Sequence, residues 1–189
     1  MAVQIWIREE QENNAPIHLI INRYHHPDFK RNKELQYCYL ENRNNPLLTL
    51  TEVEGFPTFT ELFSFTQDGA INIIANSDIF FDNTLSKVRT IKRWECYALT
   101  RWDWDGQYAK HFNRVDSQDV WIFRGKVRIQ ADFRQGQAGC DNRLAKIIKD
   151  AGYVVKNPSK QIHAIHFHTS QIRKWGAKVE GEYLMVNPE

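Results

Sequence analysis

The chain has 189 residues and a net charge of +2. That length suits one domain with a substantial core, and scattered basic residues without a basic stripe argue against a nucleic-acid binder. No apolar run is long enough to span a bilayer, and an opening with Glu9, Glu10 and Glu12 soon after Trp6 does not read as a signal peptide. The cysteines, Cys38, Cys96 and Cys140, are odd in number and far apart, which predicts free thiols in a reducing compartment and a cytoplasmic location.

Residues 1–15 read as an arm or edge strand. Ile17 to Ile21 is a good first strand, and Asn22-Arg23-Tyr24-His25-His26-Pro27 is a polar loop after it. A loop there can meet a base and ribose, with Arg23 and Tyr24 as candidates; a solvated loop is the plain alternative. His25 and His26 are adjacent, so in a strand or turn they point apart and make a poor metal pair. Asp28 is placed to cap a helix running to about Asn45, with Leu35, Cys38 and Tyr39 on one face. Pro46 closes it. Leu47 to Val53 is a second strand. Thr58 and Glu61 form a capping box before a short helix carrying Phe59, Leu62 and Phe63.

Ile71 to Ala75 is Ile-rich without strict alternation, which suits a central strand covered on both faces. It ends in Asn76-Ser77-Asp78. Acidic groups at the carboxyl end of such a strand sit where open α/β sheets bind ligands, and a carboxylate there can hold a hard cation that holds phosphate. The order so far is the β-α-β-α-β alternation of a parallel sheet with covering helices. Asp82 reads mainly as the cap of a short helix with Leu85 and Val88. Trp94 to Trp104 reads as one strand, with Cys96, Ala98, Thr100 and Trp102 on one side. Asp103 and Asp105 near Gly106 read as a solvated turn more than as a metal site.

Val120 to Phe123 is a further strand, with Asp119 at its edge as a candidate for sugar hydroxyls. Arg124 to Ala131 reads as a continuation. Asp141 opens a helix with Leu144, Ile147, Ile148 and Ala151 on one face, ended by Gly152. A simple N-cap is the plain reading of Asp141. Tyr153 to Val155 is another strand. If Ile162 to His168 is a strand, His166 and His168 share a face and form a half-site for metal, with His163 on the other face. Six tryptophans supply core packing or stacking faces for sugar rings.

Asn76-Ser77-Asp78 after an Ile-rich strand resembles the DxD-type motif of glycosyltransferases with the type-A nucleotide-sugar (GT-A) fold. The similarity extends to Ser117 through Phe123, to Gly139 through Arg143 and to the His-rich segment, so it spans most of the chain. The resemblance implies one glycosyltransferase domain over 1–189. Its fold would be α/β: a mainly parallel central sheet flanked by helices, a small antiparallel part, and a tail, 170–189, near the site. It implies Mn2+ or Mg2+ held by Asp78 with His166 or His168. Asn76 and Ser77 would lie by the nucleotide with Asn22, Arg23 and Tyr24, and Asp141 would be the general base of an inverting transfer. Asp119, Trp121, Arg143 and Trp175 would meet substrate. The donor would be a UDP-sugar, with a GDP-sugar as the second choice, and the acceptor a glycan or other hydroxyl. A metal-dependent hydrolase using His166, His168 and acids, or a carbohydrate-binding module, remains open from the residues alone.

Overall fold

A computed structural model describes residues 14–172 and 176–189. Its central layer is a six-stranded sheet. Strand β1 (Ile17–Arg23) pairs in parallel with both β2 (Leu48–Glu54) and β3 (Ile71–Ala75). The connections are α1 (Phe29–Asn44) and α2 (Phe59–Ser64), as the alternating pattern predicts. Every residue of β3 is buried, which follows from its place in the middle of the sheet with layers on both faces.

The second half of the sheet breaks the parallel pattern. Strand β8 (Val120–Arg124) runs antiparallel to β3 and to β5 (Glu95–Leu99), and β9 (Val154–Lys156) closes the edge parallel to β5. The sheet order is β2-β1-β3-β8-β5-β9: three of its five pairings are parallel and two antiparallel, so the sheet is mixed and its antiparallel share is larger than the small part expected. One face packs Ile17, Leu19, Ile73 and Ile122 against Tyr39 of α1 and against Leu85 and Val88 of a 3-10 helix, Asn83–Thr90. The other face packs Ile20, Ile74, Ala98 and Trp121 under α2 and α3 (Cys140–Asp150).

A smaller four-stranded sheet carries the remaining elements: β4 (Ile79–Phe81), β10 (Ala164–His166), β6 (Trp102–Trp104) and β7 (Ala109–His111), in that order. The expected single strand from Trp94 to Trp104 is therefore two strands in two sheets. Thr100 and Arg101 form the break, and the reason is polar. Thr100 donates its hydroxyl to the carbonyls of Arg114 and Ser117, and its amide binds Asn157 Oδ1. The predicted continuation through Arg124 to Ala131 is not a strand; Gly125 turns the chain with φ +85°. The strand expected over Ile162 to His168 is confined to Ala164–His166, and His168 lies beyond it.

Local signals place the helices as read. Asp28 accepts the Arg31 amide at 2.8 Å, and Thr58 and Glu61 form the reciprocal capping box. Helix α3 ends in a Schellman pattern: Gly152 N donates to Lys149 O and Tyr153 N to Ile148 O. Asp82 caps the 3-10 helix through the Thr84 amide and also receives His163 at 2.9 Å.

Trp121, expected to meet substrate, is instead 1% exposed and stacks edge-on against Phe59 beneath α2. Alternation along β8 turns its ring into the core. Truncating it to alanine leaves a cavity there, and urea unfolding should show a loss of about 3–5 kcal/mol. A loss below about 1 kcal/mol would mean the packing is wrong.

Candidate metal and nucleotide site

The site lies at the carboxyl ends of β1 and β3, where the two sheets part. After β3, the chain turns at Asn76-Ser77-Asp78. Ser77 Oγ donates to the main-chain carbonyl of Asn22 at 2.8 Å and to Asn22 Oδ1, and Asn22 Nδ2 donates to Gly55 O. These bonds tie the ends of β1, β2 and β3 together and turn Asp78 toward the small sheet.

Asp78 is 7% exposed, yet it lies among polar groups, not hydrocarbon. Its Oδ2 accepts from Arg31 Nη2 at 2.5 Å and His166 Nε2 at 3.1 Å, and it stands 3.6 Å from His168 Nδ1. Burial opposes its ionisation, but His166 and Arg31 outweigh burial and hold the carboxyl well below the usual range. His166 Nδ1 is bonded to Asp103 Oδ1 at 2.8 Å, and His168 Nε2 donates to the Ile172 carbonyl at 3.1 Å.

The donor atoms of Asp78, His166 and His168 all lie within 4.8 Å of one another. Each imidazole is oriented by a bond from its other nitrogen to a carboxylate or carbonyl, the usual arrangement behind a metal-bound histidine. His168 is neutral, because burial first and Arg31 second push its pKa down to about 4. With Nε2 donating to Ile172, its Nδ1 lone pair faces the Asp78 carboxylate. Two acceptors facing each other suit a cation between them. The residues present therefore fit a divalent ion, and two imidazoles suit manganese or zinc better than magnesium, which prefers oxygen ligands.

His166 behaves differently. Burial lowers its pKa, but Asp78 and Asp103 raise it further, to about 9. Below that pH a metal must displace one proton from Nε2. Manganese affinity should therefore rise by ~tenfold per pH unit up to about 9. Calorimetry between pH 6.5 and 8.5 checks this, and a flat profile would remove His166 from the ligand set.

Beside the cluster is a cavity of about 410 Å3 whose lining includes Asn22, Arg23, Tyr24, Gln36, Glu54 and Ser77. That size is within the range of small-molecule sites. Arg23 lies 3.7 Å above the Tyr39 ring and pairs with Glu52 at 3.3 Å. Tyr24 packs against Phe56 with ring centres 4.7 Å apart, and its hydroxyl feels the charges of Arg31 and Asp78.

The third part is at the start of α3. Gly139, with φ +77°, is the N-cap, so Asp141 is the second helical residue and not the cap. Its carboxylate accepts from Cys140 Sγ at 3.1 Å. Burial, and next the charge of Asp119, push its pKa up to about 7. Asp119 itself accepts from Asn76 Nδ2 at 2.9 Å and Arg101 Nη1 at 3.2 Å.

The structure thus brings together Asn22, Tyr24, Asn76, Ser77, Asp78, His166 and His168, with Arg23 in the cavity and Asp119 and Asp141 alongside. Arg143 faces the tail, donating to Glu182 O at 3.2 Å, and Gly181 packs against its guanidinium. Trp175 lies outside the described residues. The described part of the tail does pack by Asp141: Leu184 N donates to Asn142 O and Tyr183 touches Gly139.

Four further residues at the site lie outside the set expected from the sequence. Arg31 and Glu34 sit on the buried face of α1 beside Leu35, Cys38 and Tyr39. Charged residues on an apolar helix stripe were a signal available in the sequence. Asp105 caps the expected turn, but Asp103 instead binds His166 and Arg101. Arg101 had no sequence signal, since it depends on where the strand breaks.

The chain is a mixed α/β protein with a buried Asp/His/His cluster at a sheet edge. No protein-family model, curated protein or solved structure matches it. Among the described residues, no helix is long and apolar enough to cross a membrane.

Proposed function

We propose that the protein is a metal-dependent glycosyltransferase of the GT-A type, which moves a sugar from a nucleoside-diphosphate sugar to an acceptor hydroxyl. The observation that carries this reading is the adjacency of three groups. A cavity lined by Asn22 and Ser77, the buried Asp/His/His cluster that includes the next residue, Asp78, and the Asp119 carboxylate bonded to Asn76, with Asp141 near it, follow one another off the ends of β1 and β3.

Asp78, His166 and His168 would hold manganese. When bound, that ion supplies charge to offset the leaving diphosphate. Arg31 is a second cation at the same oxygen of Asp78, and its planar fork suits phosphate oxygens. Asn22, Arg23 and Tyr24 line the space for ribose and base, with uridine preferred over guanosine as the donor base. Asp141 takes the proton of the acceptor hydroxyl as the new glycosidic bond forms, which gives inversion at the anomeric carbon. A carboxylate titrating near 7 is matched to that task, since it is ionised at working pH yet basic enough to accept a proton.

The test is calorimetric binding of UDP-sugar and GDP-sugar with manganese and then with a chelator. Binding that needs manganese supports the proposal. Binding indifferent to the chelator counts against it. A three-ligand cluster is also the donor set of metal-dependent hydrolases. Zinc-dependent turnover without any sugar nucleotide would favour that second reading.

A further inference from the structure

The two halves of the site are joined by one side chain. Arg101 is 6% exposed and lies in the break between β5 and β6. Its Nε donates to Asp103 Oδ1 at 2.7 Å, and Asp103 Oδ1 also receives His166 Nδ1 at 2.8 Å. Its Nη1 donates to Asp119 Oδ2 at 3.2 Å and to Ser117 Oγ at 3.3 Å. Phe112 covers its guanidinium at 3.9 Å from the ring centre. One cation therefore grips the carboxylate behind His166 and the carboxylate of Asp119, the residue after Gln118, whose main chain hydrogen-bonds Asp141.

We propose that Arg101 is a positioning residue that couples the Asp/His/His cluster to Asp141 through Asp103 and Asp119. The inference rests on the reading of these residues as a metal cluster and a base.

The argument is one of geometry and charge. A guanidinium is planar and always charged, so it can bridge two carboxylates in fixed positions; an ammonium cannot. Asp103 held by Arg101 fixes the ring of His166 through its Nδ1, as an outer-shell carboxylate does for a metal-bound histidine. Asp119 held by Arg101 has part of its charge offset. The groups acting on Asp141 are Asp119 from the start of β8, Arg101 from the strand break, the Cys140 thiol from its own helix and the Gln118 amide. Among them Asp119 opposes ionisation of Asp141, while Arg101, Cys140 and Gln118 favour it. Arg101 therefore sets how strongly Asp119 disfavours the charged base.

The test needs no donor or acceptor. Carbon-13 NMR follows the Asp141 carboxyl through a pH titration in the full chain, and calorimetry follows manganese. In Arg101→Met, the Asp141 titration should move up by about one pH unit, because the Asp119 charge is no longer offset. Manganese affinity should fall by ~10–100-fold. In Arg101→Met with Asp119→Asn, the upward shift should vanish while the manganese loss persists. That separation is not what general loosening of the fold would produce. If Arg101→Met does not fold, Arg101→Lys is measured instead, with shifts in the same direction and smaller. An unchanged Asp141 titration in a folded variant overturns the coupling, and so does a shift that survives in the double variant. If sugar nucleotides fail to bind but both shifts appear, the coupling stands and the glycosyltransferase reading is what fails.

Discussion

Asp78→Ala should abolish manganese-dependent binding of the sugar nucleotide. Asp78 offers one of the three donor atoms of the proposed metal site and is also the carboxylate on which Arg31, His166 and His168 converge. Loss of an outer-shell partner costs ~10–100-fold in metal affinity, so loss of this inner group should cost more. The substitution also leaves Arg31 and His166 buried with less opposing charge, which destabilises by about 3–5 kcal/mol when one partner of a buried pair is removed. Asp78→Asn separates the two effects, because it keeps the volume and a carbonyl for Arg31 while losing the charge. In both variants, calorimetry should show no manganese-dependent heat with UDP-sugar, while circular dichroism reports the fold. Retained binding in a folded Asp78→Asn would end the metal-bridge reading.

Asp141→Asn should leave donor binding intact and cut transfer by ~10²–10⁴-fold, the usual contribution of a positioned general base. In the wild type, transfer should rise with pH through about 7 as Asp141 ionises, and the residual rate of the variant should lack that limb. Stability gives an independent check of sign. The folded pKa of Asp141 lies above the ordinary carboxylate value. Its stabilising share is therefore complete below about pH 4 and is lost as pH rises through about 7. At pH 8 the ionised carboxylate opposes Asp119 in the folded state, so Asp141→Asn should melt at least as high as the wild type. Equal losses of donor binding and transfer would identify Asp141 as a donor-binding residue.

Much of the first half of the chain was legible in the sequence, because its signals are local. Asp28 and Thr58 cap helices through contacts three residues away, and the Ile-rich run of β3 announces its own burial. Asp78 was legible for the same reason, standing where a buried strand gives way to polar groups. His166 and His168 do come together beside Asp78, although only His166 lies in a strand. The departures come from long-range contacts. Thr100 ends β5 because Asn157, Arg114 and Ser117 claim its polar groups, and no periodicity within residues 94–104 carries that information. Trp121 is a substrate candidate only through the family resemblance, and alternation along β8 places its ring in the core against Phe59. Arg101 and Asp103 acquire their roles only when β6 lies beside β10 in the small sheet.

Asp78 comes from the middle of the chain, while His166 and His168 come 88 and 90 residues later. Glu34 bears on this separation, since its carboxylate takes the Ser170 amide at 2.6 Å and the Thr169 hydroxyl at 2.9 Å, latching the later segment onto α1. During synthesis, a ribosome-bound chain that has emerged only as far as β8 carries Asp78 without either histidine. The proposed cation site would therefore be completed only once the last quarter of the polypeptide has been released and latched.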